Sequence, residues 1–267
     1  MKEMIRLHTA SNSPPSYGGG ITIKSCQEIQ SMRRAGSIVG KTISILREAV
    51  RPGITTKELD NIAYESICKE GAKPTFKGYR GFPASICASV NQEIVHGIPD
   101  DRVLNEGDLI KLDVGATIEG FIGDSAVTIG VGKIDKKAQE LIDVTEQCLA
   151  QGIEAATEGA RTGDIGAAVE KYATERHFSV VREYVGHGVG RFLHEDPQVP
   201  NYGPPGRGAI LRSGMVLAIE PMVNIGGWET KLLGDQWTVV TLDGSLSAHF
   251  EHTIAITKGK AEILTKI

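Results

Sequence analysis

Between Gln27 and Val50 the apolar positions fall at Ile29, Met32, Ala35, Val39, Ile43, Leu46 and Val50. Steps of three and four put them on one face of a helix, and Pro52-Gly53 ends the run. Thr55-Thr-Lys-Glu58 has the form of a capping box and predicts a second helix running to Gly71. Lys73 to Gly81 reads as loop and Ala84 to His96 as a strand, with a turn at Gly97-Ile-Pro-Asp-Asp101. Two runs rich in Val, Ile, Leu and Thr follow, Leu109–Ala116 and Phe121–Val131, joined across Thr117-Ile-Glu-Gly120. Each carries one acid among apolar neighbours, Asp113 and Asp124. A tight hairpin centred between Ile118 and Glu119 sets these two directly opposite each other, with Cβ atoms roughly 5 Å apart. A lone Asp in a strand ordinarily faces water. Two ionised carboxylates at paired positions repel, so either one keeps its proton or a cation bridges them.

The same order of elements then recurs. Lys137 to Ala156 has helical spacing, with Ile142, Thr145, Leu149, Ile153 and Ala156 on one side, and Gly159 to Ile165 opens a helix through Arg176. Gly53-Ile-Thr-Thr-Lys-Glu-Leu59 lies over Gly159-Ala-Arg-Thr-Gly-Asp-Ile165 at an offset of 106, and Gly107–Asp113 lies over Gly214–Glu220 at an offset of 107. Two nearly equal offsets at separate places predict a duplication, with halves of about 26–132 and 133–267. The expected fold is α+β: two helix–helix–strand–strand halves forming one curved antiparallel sheet with helices on its outer face. The duplication also places Glu220 in the position of Asp113.

Glu220 sits in the strand-like run Met215–Val223, and Glu251 in His249–Ile256. Acids are seldom buried unpaired, and no matching set of interior Lys or Arg is apparent. Four converging carboxylates would cost many kcal/mol, and divalent cations remove that cost. His187, in Val185-Gly-His-Gly-Val-Gly190, adds a nitrogen donor between glycines that admit close backbone approach. A histidine in such a turn is ordinarily structural; beside four interior acids it reads as a ligand. Oxygen-rich ligation with one imidazole suits Mn, Fe, Co or Zn. Five ligands exceed the needs of one ion, and two ions about 3.5–4 Å apart fit them.

Composition narrows the field further. A formal charge of −4 and a pI near 6.0 argue against a nucleic-acid surface, and no apolar run approaches the roughly 18 residues of a membrane span. Cys26, Cys68, Cys87 and Cys148 are scattered without a C-x-x-C, as expected of reduced thiols in the cytoplasm. Residues 1–25, with Ser11-Asn-Ser-Pro-Pro-Ser-Tyr-Gly-Gly-Gly20, carry too little apolar content to pack and read as a flexible tail before a single catalytic domain over 26–267.

Asp113-x10-Asp124, His187, Glu220 and Glu251 in these contexts resemble the dinuclear pita-bread metallopeptidases, and the type I methionine aminopeptidases most of all. The segments Val95-His-Gly-Ile-Pro-Asp100, Gly186-His-Gly-Val-Gly190, Ile219-Glu-Pro-Met222 and Ser245-Leu-Ser-Ala-His-Phe-Glu-His252 carry the likeness, which runs from about Ser25 to the C-terminus. The resemblance implies removal of the N-terminal methionine from nascent chains and peptides with a small second residue, by attack of a metal-held hydroxide on the first peptide carbonyl. It makes Asp113 a bidentate ligand of one ion and His187 a ligand of the other, with Asp124 and Glu251 bridging. Glu220 then binds metal and shuttles the proton. His96 contacts the scissile amide and His194 polarises the carbonyl. A free substrate α-amine at the second ion would restrict cleavage to the first residue. Tyr79, Phe82, Cys87, His96 and Trp237 form the methionine pocket, an apolar slot suited to a thioether.

Phe76, where a smaller residue such as Cys is common, and Leu193, in place of an aromatic, depart from the pattern and alter the slot's shape. The resemblance further implies a monomer and transient ribosome association, for which no anchoring segment is visible. Two other readings compete. A prolidase or proline aminopeptidase uses the same five ligands but usually carries a sizeable N-terminal domain. A metal-free binding module on this fold would have lost ligands that this chain retains.

Overall fold

A computed structural model describes residues 20–266. The first half runs α1 (Cys26–Ala49), α2 (Thr56–Lys69), β1 (Lys73–Pro74), β2 (Ile86–Val90), β3 (Glu93–Val95), β4 (Leu109–Ile118) and β5 (Phe121–Gly130). The second runs α3 (Lys136–Ala155), α4 (Thr162–Thr174), β6 (Ser179–Val180), β7 (Gly186–Gly188), β8 (Glu195–Val199) and β9 (Val216–Ile219). It continues with β10 (Met222–Asn224), β11 (Thr230–Leu232), β12 (Val239–Thr241), β13 (Ser247–His249), β14 (His252–Ala255) and β15 (Glu262–Ile263).

The helices form where spacing and caps place them. Ser25 with Glu28, and Thr55 with Glu58, close reciprocal capping boxes on α1 and α2. Met32, Ala35, Val39, Ile43 and Leu46 of α1 are all buried, and α1 packs across β4 and β5. Backbone meets backbone here: a Cβ on Gly123 would lie 2.7 Å from the Gly36 amide nitrogen, and one on Gly36 would run into the Leu264 carbonyl, so both positions need glycine.

The expected duplication is present in detail. Gly53 N–H donates to Leu104 O and Leu104 N–H to Ile54 O; Gly159 N–H donates to Leu211 O and Leu211 N–H to Ala160 O. Isolated bridges join Thr55 to Val103 and Arg161 to Ile210. The sheet cores correspond as well, with β2–β4–β5 in one half and β7–β9–β14 in the other, every pairing antiparallel.

Two three-stranded ladders, β13–β10–β6 and β11–β12–β3, accompany these two cores, which are ladders of four and five strands. The two cores meet along β5, where Glu251 N–H donates to Ala126 O at 2.9 Å and Thr253 Oγ1 donates to Asp124 O at 2.7 Å. The helices cover the outside: α1 lies against the first ladder and α3 against β9, β10 and β13.

Three expectations change in detail. The β4–β5 hairpin turns on Glu119-Gly120, with φ of 54° and 75°, so Asp113 faces Ala126 and Asp124 faces Gly115. A two-residue turn matching strand twist needs positive φ at both central positions, which Gly120 tolerates and a centre at Ile118 would not. The slip is even, so both acids keep one face and sit diagonally.

The predicted strand 84–96 is broken at Asn91 (φ 56°), whose amide Oδ1 accepts from Leu109 N–H and whose Nδ2 donates to Asp108. The runs around Glu220 and Glu251 are also broken. Here the chain passes from the ladder holding β9 and β14 to the one holding β10 and β13, because Pro221 has no N–H to continue pairing. Glu220 and Glu251 therefore stand at the two crossings rather than within strands.

The expected tail divides. Residues 1–19 lie outside the described ones, whereas residues 20–25 are not a tail. Ile21 bridges to Asp196, and Lys24 N–H donates to Gly214 O at 2.8 Å.

Candidate metal centre

The five residues singled out from the sequence come together where the two core ladders meet. β4 presents Asp113 and β5 Asp124; β7 presents His187; the two crossings present Glu220 and Glu251. One ligand atom each from Asp124, His187 and Glu251 lie within 4.8 Å of one another, and all three residues are buried. Asp113 lies within hydrogen-bond reach of Asp124 and directly opposite Cys87 of β2. Glu220 Oε1 is 3.4 Å from His187 Nε2.

The cluster is electrically incomplete. Asp113 Oδ1, Asp124 Oδ1 and Glu251 Oε1 are buried and have no hydrogen-bond donor. Burial pushes the Asp113 carboxyl up to about 7. Burial and then neighbouring carboxylates hold Asp124, Glu220 and Glu251 far above the usual carboxylate range. Among the described residues two lysines are buried, Lys24 and Lys111, and neither pairs with the cluster. Lys111 donates to Asn91 O at 2.7 Å, and Lys24 pairs with Glu195.

Four carboxylates that cannot all ionise, aimed at one interior point, are a donor set that fits divalent cations. The imidazole fits too. His187 Nδ1 lies 2.9 Å from Gly188 O, which can only accept, so Nδ1 carries the proton and Nε2 turns a lone pair to the acids. Burial lowers its pKa to about 4, which keeps that lone pair free at neutral pH.

Two further histidines border the cluster. The His194 ring lies 4.4 Å from that of His187, and its Nδ1 is 2.8 Å from the Tyr79 hydroxyl. Burial, with His187 and His96 nearby, drops its pKa to about 2, so it is neutral. His96 has φ of 60°, a strained value for a non-glycine residue, and its ring meets Tyr184 and Trp237 edge-on at 5.8 and 6.4 Å.

Phe82, Cys87, Tyr79 and Trp237 belong to one apolar cluster, with Phe82 and Trp237 in a T-shaped contact at 5.1 Å. The two departures, Phe76 and Leu193, pack into the same cluster. Phe76 finds room because its partner is Gly115, where a Cβ would come within 2.7 Å of the ring.

His249 was not singled out from the sequence. It is 1% exposed, neither ring nitrogen has a hydrogen-bond partner, and Nε2 is 3.9 Å from Glu220 Oε2. The signal was present: His249 lies two residues before Glu251, and β13 pairs it with Met222, two residues after Glu220. Only the pairing reveals that it faces that acid.

The sequence pattern of metallopeptidase family M24 matches residues 30–258. Methionine aminopeptidase 1 of Bacillus subtilis is 55% identical over 247 residues, which are 92% of this chain and 100% of that protein. A methionine aminopeptidase of Clostridium perfringens is 53% identical, over 92% of this chain and 99% of its own length. Among solved structures, methionine aminopeptidase from Thermotoga maritima superposes with a TM-score of 0.92 at 47% identity, covering 93% of this chain and all of its own. With the family's pattern spanning nearly the whole duplicated body and its centre, the chain belongs to metallopeptidase family M24.

Proposed function

We propose that the protein is a methionyl aminopeptidase that uses two divalent metal ions to release the first residue of peptides and nascent chains beginning with methionine and a small residue. One observation carries this reading: buried, donorless carboxylates from both halves converge with the lone pair of His187. Overall likeness to the methionine aminopeptidases then selects the substrate.

Asp113, Asp124, Glu220 and Glu251 would hold the ions by oxygen and His187 by Nε2. Such ions, when bound, neutralise the acids, lower the pKa of water and polarise a carbonyl. The remaining work belongs to side chains. Glu220, at the crossing beside His187, accepts the proton of the attacking water on a carboxylate oxygen and returns it to the departing amine. His194 stays neutral, and with Nδ1 engaged by Tyr79 it offers Nε2 to the carbonyl oxygen as negative charge builds there. His96, whose ring meets Tyr184 and Trp237, contacts the scissile amide. Phe82, Cys87, Tyr79 and Trp237 take the thioether, exclude water and hold the carbonyl in register.

The competing proline-directed reading is separated by paired substrates. With Mn²⁺ present, the protein is expected to release methionine from Met-Gly-Met-Met and to leave Ala-Pro intact. Rapid Ala-Pro cleavage without methionine release would replace the assignment.

A further inference from the structure

The loop that carries His194 is fastened from behind by a buried ion pair. Lys24 Nζ lies 2.7 Å from Glu195 Oε2, with the two side chains 6% and 8% exposed. The same oxygen accepts from Thr22 Oγ1 at 2.7 Å. The other, Oε1, accepts the backbone N–H groups of Arg191 at 2.9 Å and Phe192 at 3.1 Å. One carboxylate thus takes four donors, two from residues 22–24 and two from its own loop.

The fastening reaches further on both sides. Segment 21–24 is itself moored, through Lys24 N–H on Gly214 O and the bridge from Ile21 to Asp196. Gly190 opens the loop where a side chain could not fit: a Cβ there would lie 2.6 Å from Glu195 Oε1 and 2.7 Å from Lys24 Cε. Burial pushes the Glu195 carboxyl up, but Lys24, Thr22 and the Phe192 N–H outweigh it and hold the group below the usual carboxylate range. The Glu195 carboxyl is therefore ionised at neutral pH.

Glu195 is the next residue after His194. A carboxylate locked to the amides of 191 and 192 closes residues 191–195 into a rigid turn, which fixes the Cα of His194. Tyr79 fixes the far end, at ring Nδ1. With both ends held, the aim of Nε2 is set.

We infer that Lys24 and Glu195 are positioning residues for His194, and that residues 21–24 act as a strap holding its imidazole toward the substrate carbonyl. The inference rests on the role given to His194 above. Displacing a catalytic group by about 1 Å can cost on the order of a hundredfold in rate, so cutting the strap should be read in kcat rather than in binding.

The test uses the full-length Mn²⁺-loaded protein, Met-Gly-Met-Met as substrate, and metal content and melting temperature measured for every variant. Lys24→Met keeps three donors on Glu195 and is expected to lower kcat about 10–100-fold, with KM within about twofold and metal content unchanged. Lys24→Arg restores the charge and should recover most of that rate. In a His194→Ala background, Lys24→Met should cost nothing further, because the residue through which it acts is gone; a merely structural lesion would add its full loss.

Should Lys24→Met melt below the assay temperature, Thr22→Val removes one donor and leaves the ion pair. It is then expected to give a smaller fall in kcat, about threefold, again absent in the His194→Ala background. A kcat within twofold of wild type for Lys24→Met, or a further loss in the His194→Ala background, would overturn the strap and leave the peptidase reading intact. A wild-type protein that releases no methionine would overturn both.

Discussion

Replacing Glu220 with Gln is expected to lower kcat by about three orders of magnitude, the middle of the range for removal of a single general acid–base group. Gln has the shape of Glu and keeps an oxygen for a cation, but its amide neither accepts nor returns a proton at neutral pH. The fold should survive the change. Burial and Asp113 already hold Glu220 toward its neutral form, so the substitution removes a charge the interior resists. A melting temperature equal to or above that of the wild type, with KM little changed, would locate the loss in the chemical step. Turnover within about tenfold of wild type at equal metal loading would remove Glu220 from the role of proton shuttle.

Stripping the protein with a chelator is expected to abolish methionine release and to reverse the pH dependence of its stability. In the stripped protein Asp113 is pushed up to about 7, and Asp124, Glu220 and Glu251 are raised as well. The folded chain then holds protons that the unfolded chain gives up near the ordinary carboxylate pKa of about 4. These groups leave stability intact below that pH and erode it as pH climbs toward 7 and beyond.

Divalent cations compete for the same oxygens, so the loaded protein should not show this decline. At a thousandfold excess over Kd, binding adds about 4 kcal/mol, roughly 10 °C in Tm for a chain of this size. Melting curves of stripped and Mn²⁺-loaded protein between pH 5 and 8 check both parts. The gap between them should widen with pH; a constant gap, or none, would mean that the acids are not where the cation binds.

Much of this was legible in the chain because the signals are local. Three-and-four spacing and two capping boxes specify α1 and α2 without reference to anything distant, and the 106–107 offset exposes the two halves. The interior acids stood out because Asp and Glu among Val, Ile and Leu need a compensating partner.

What escaped was non-local or stereochemical. The hairpin register depends on which residue tolerates positive φ, and Gly120 rather than Ile118 decides it. The breaks at Glu220 and Phe250–Glu251 follow from Pro221 and from a change of partner strand, which only the assembled sheets reveal. His249 faces Glu220 through a pairing of distant segments. Residues 20–25, too polar to suggest packing, are held by Lys24 on an acid 171 positions away.

The chemistry depends on acids from both halves converging to hold a pair of cations. Diffraction from crystals grown with Mn²⁺, collected at the manganese absorption edge, tests this most directly. Two anomalous peaks about 3.5–4 Å apart are expected, enclosed by Asp113, Asp124, His187, Glu220 and Glu251. Peaks elsewhere on the surface, with those five side chains bound to no ion, would contradict that convergence.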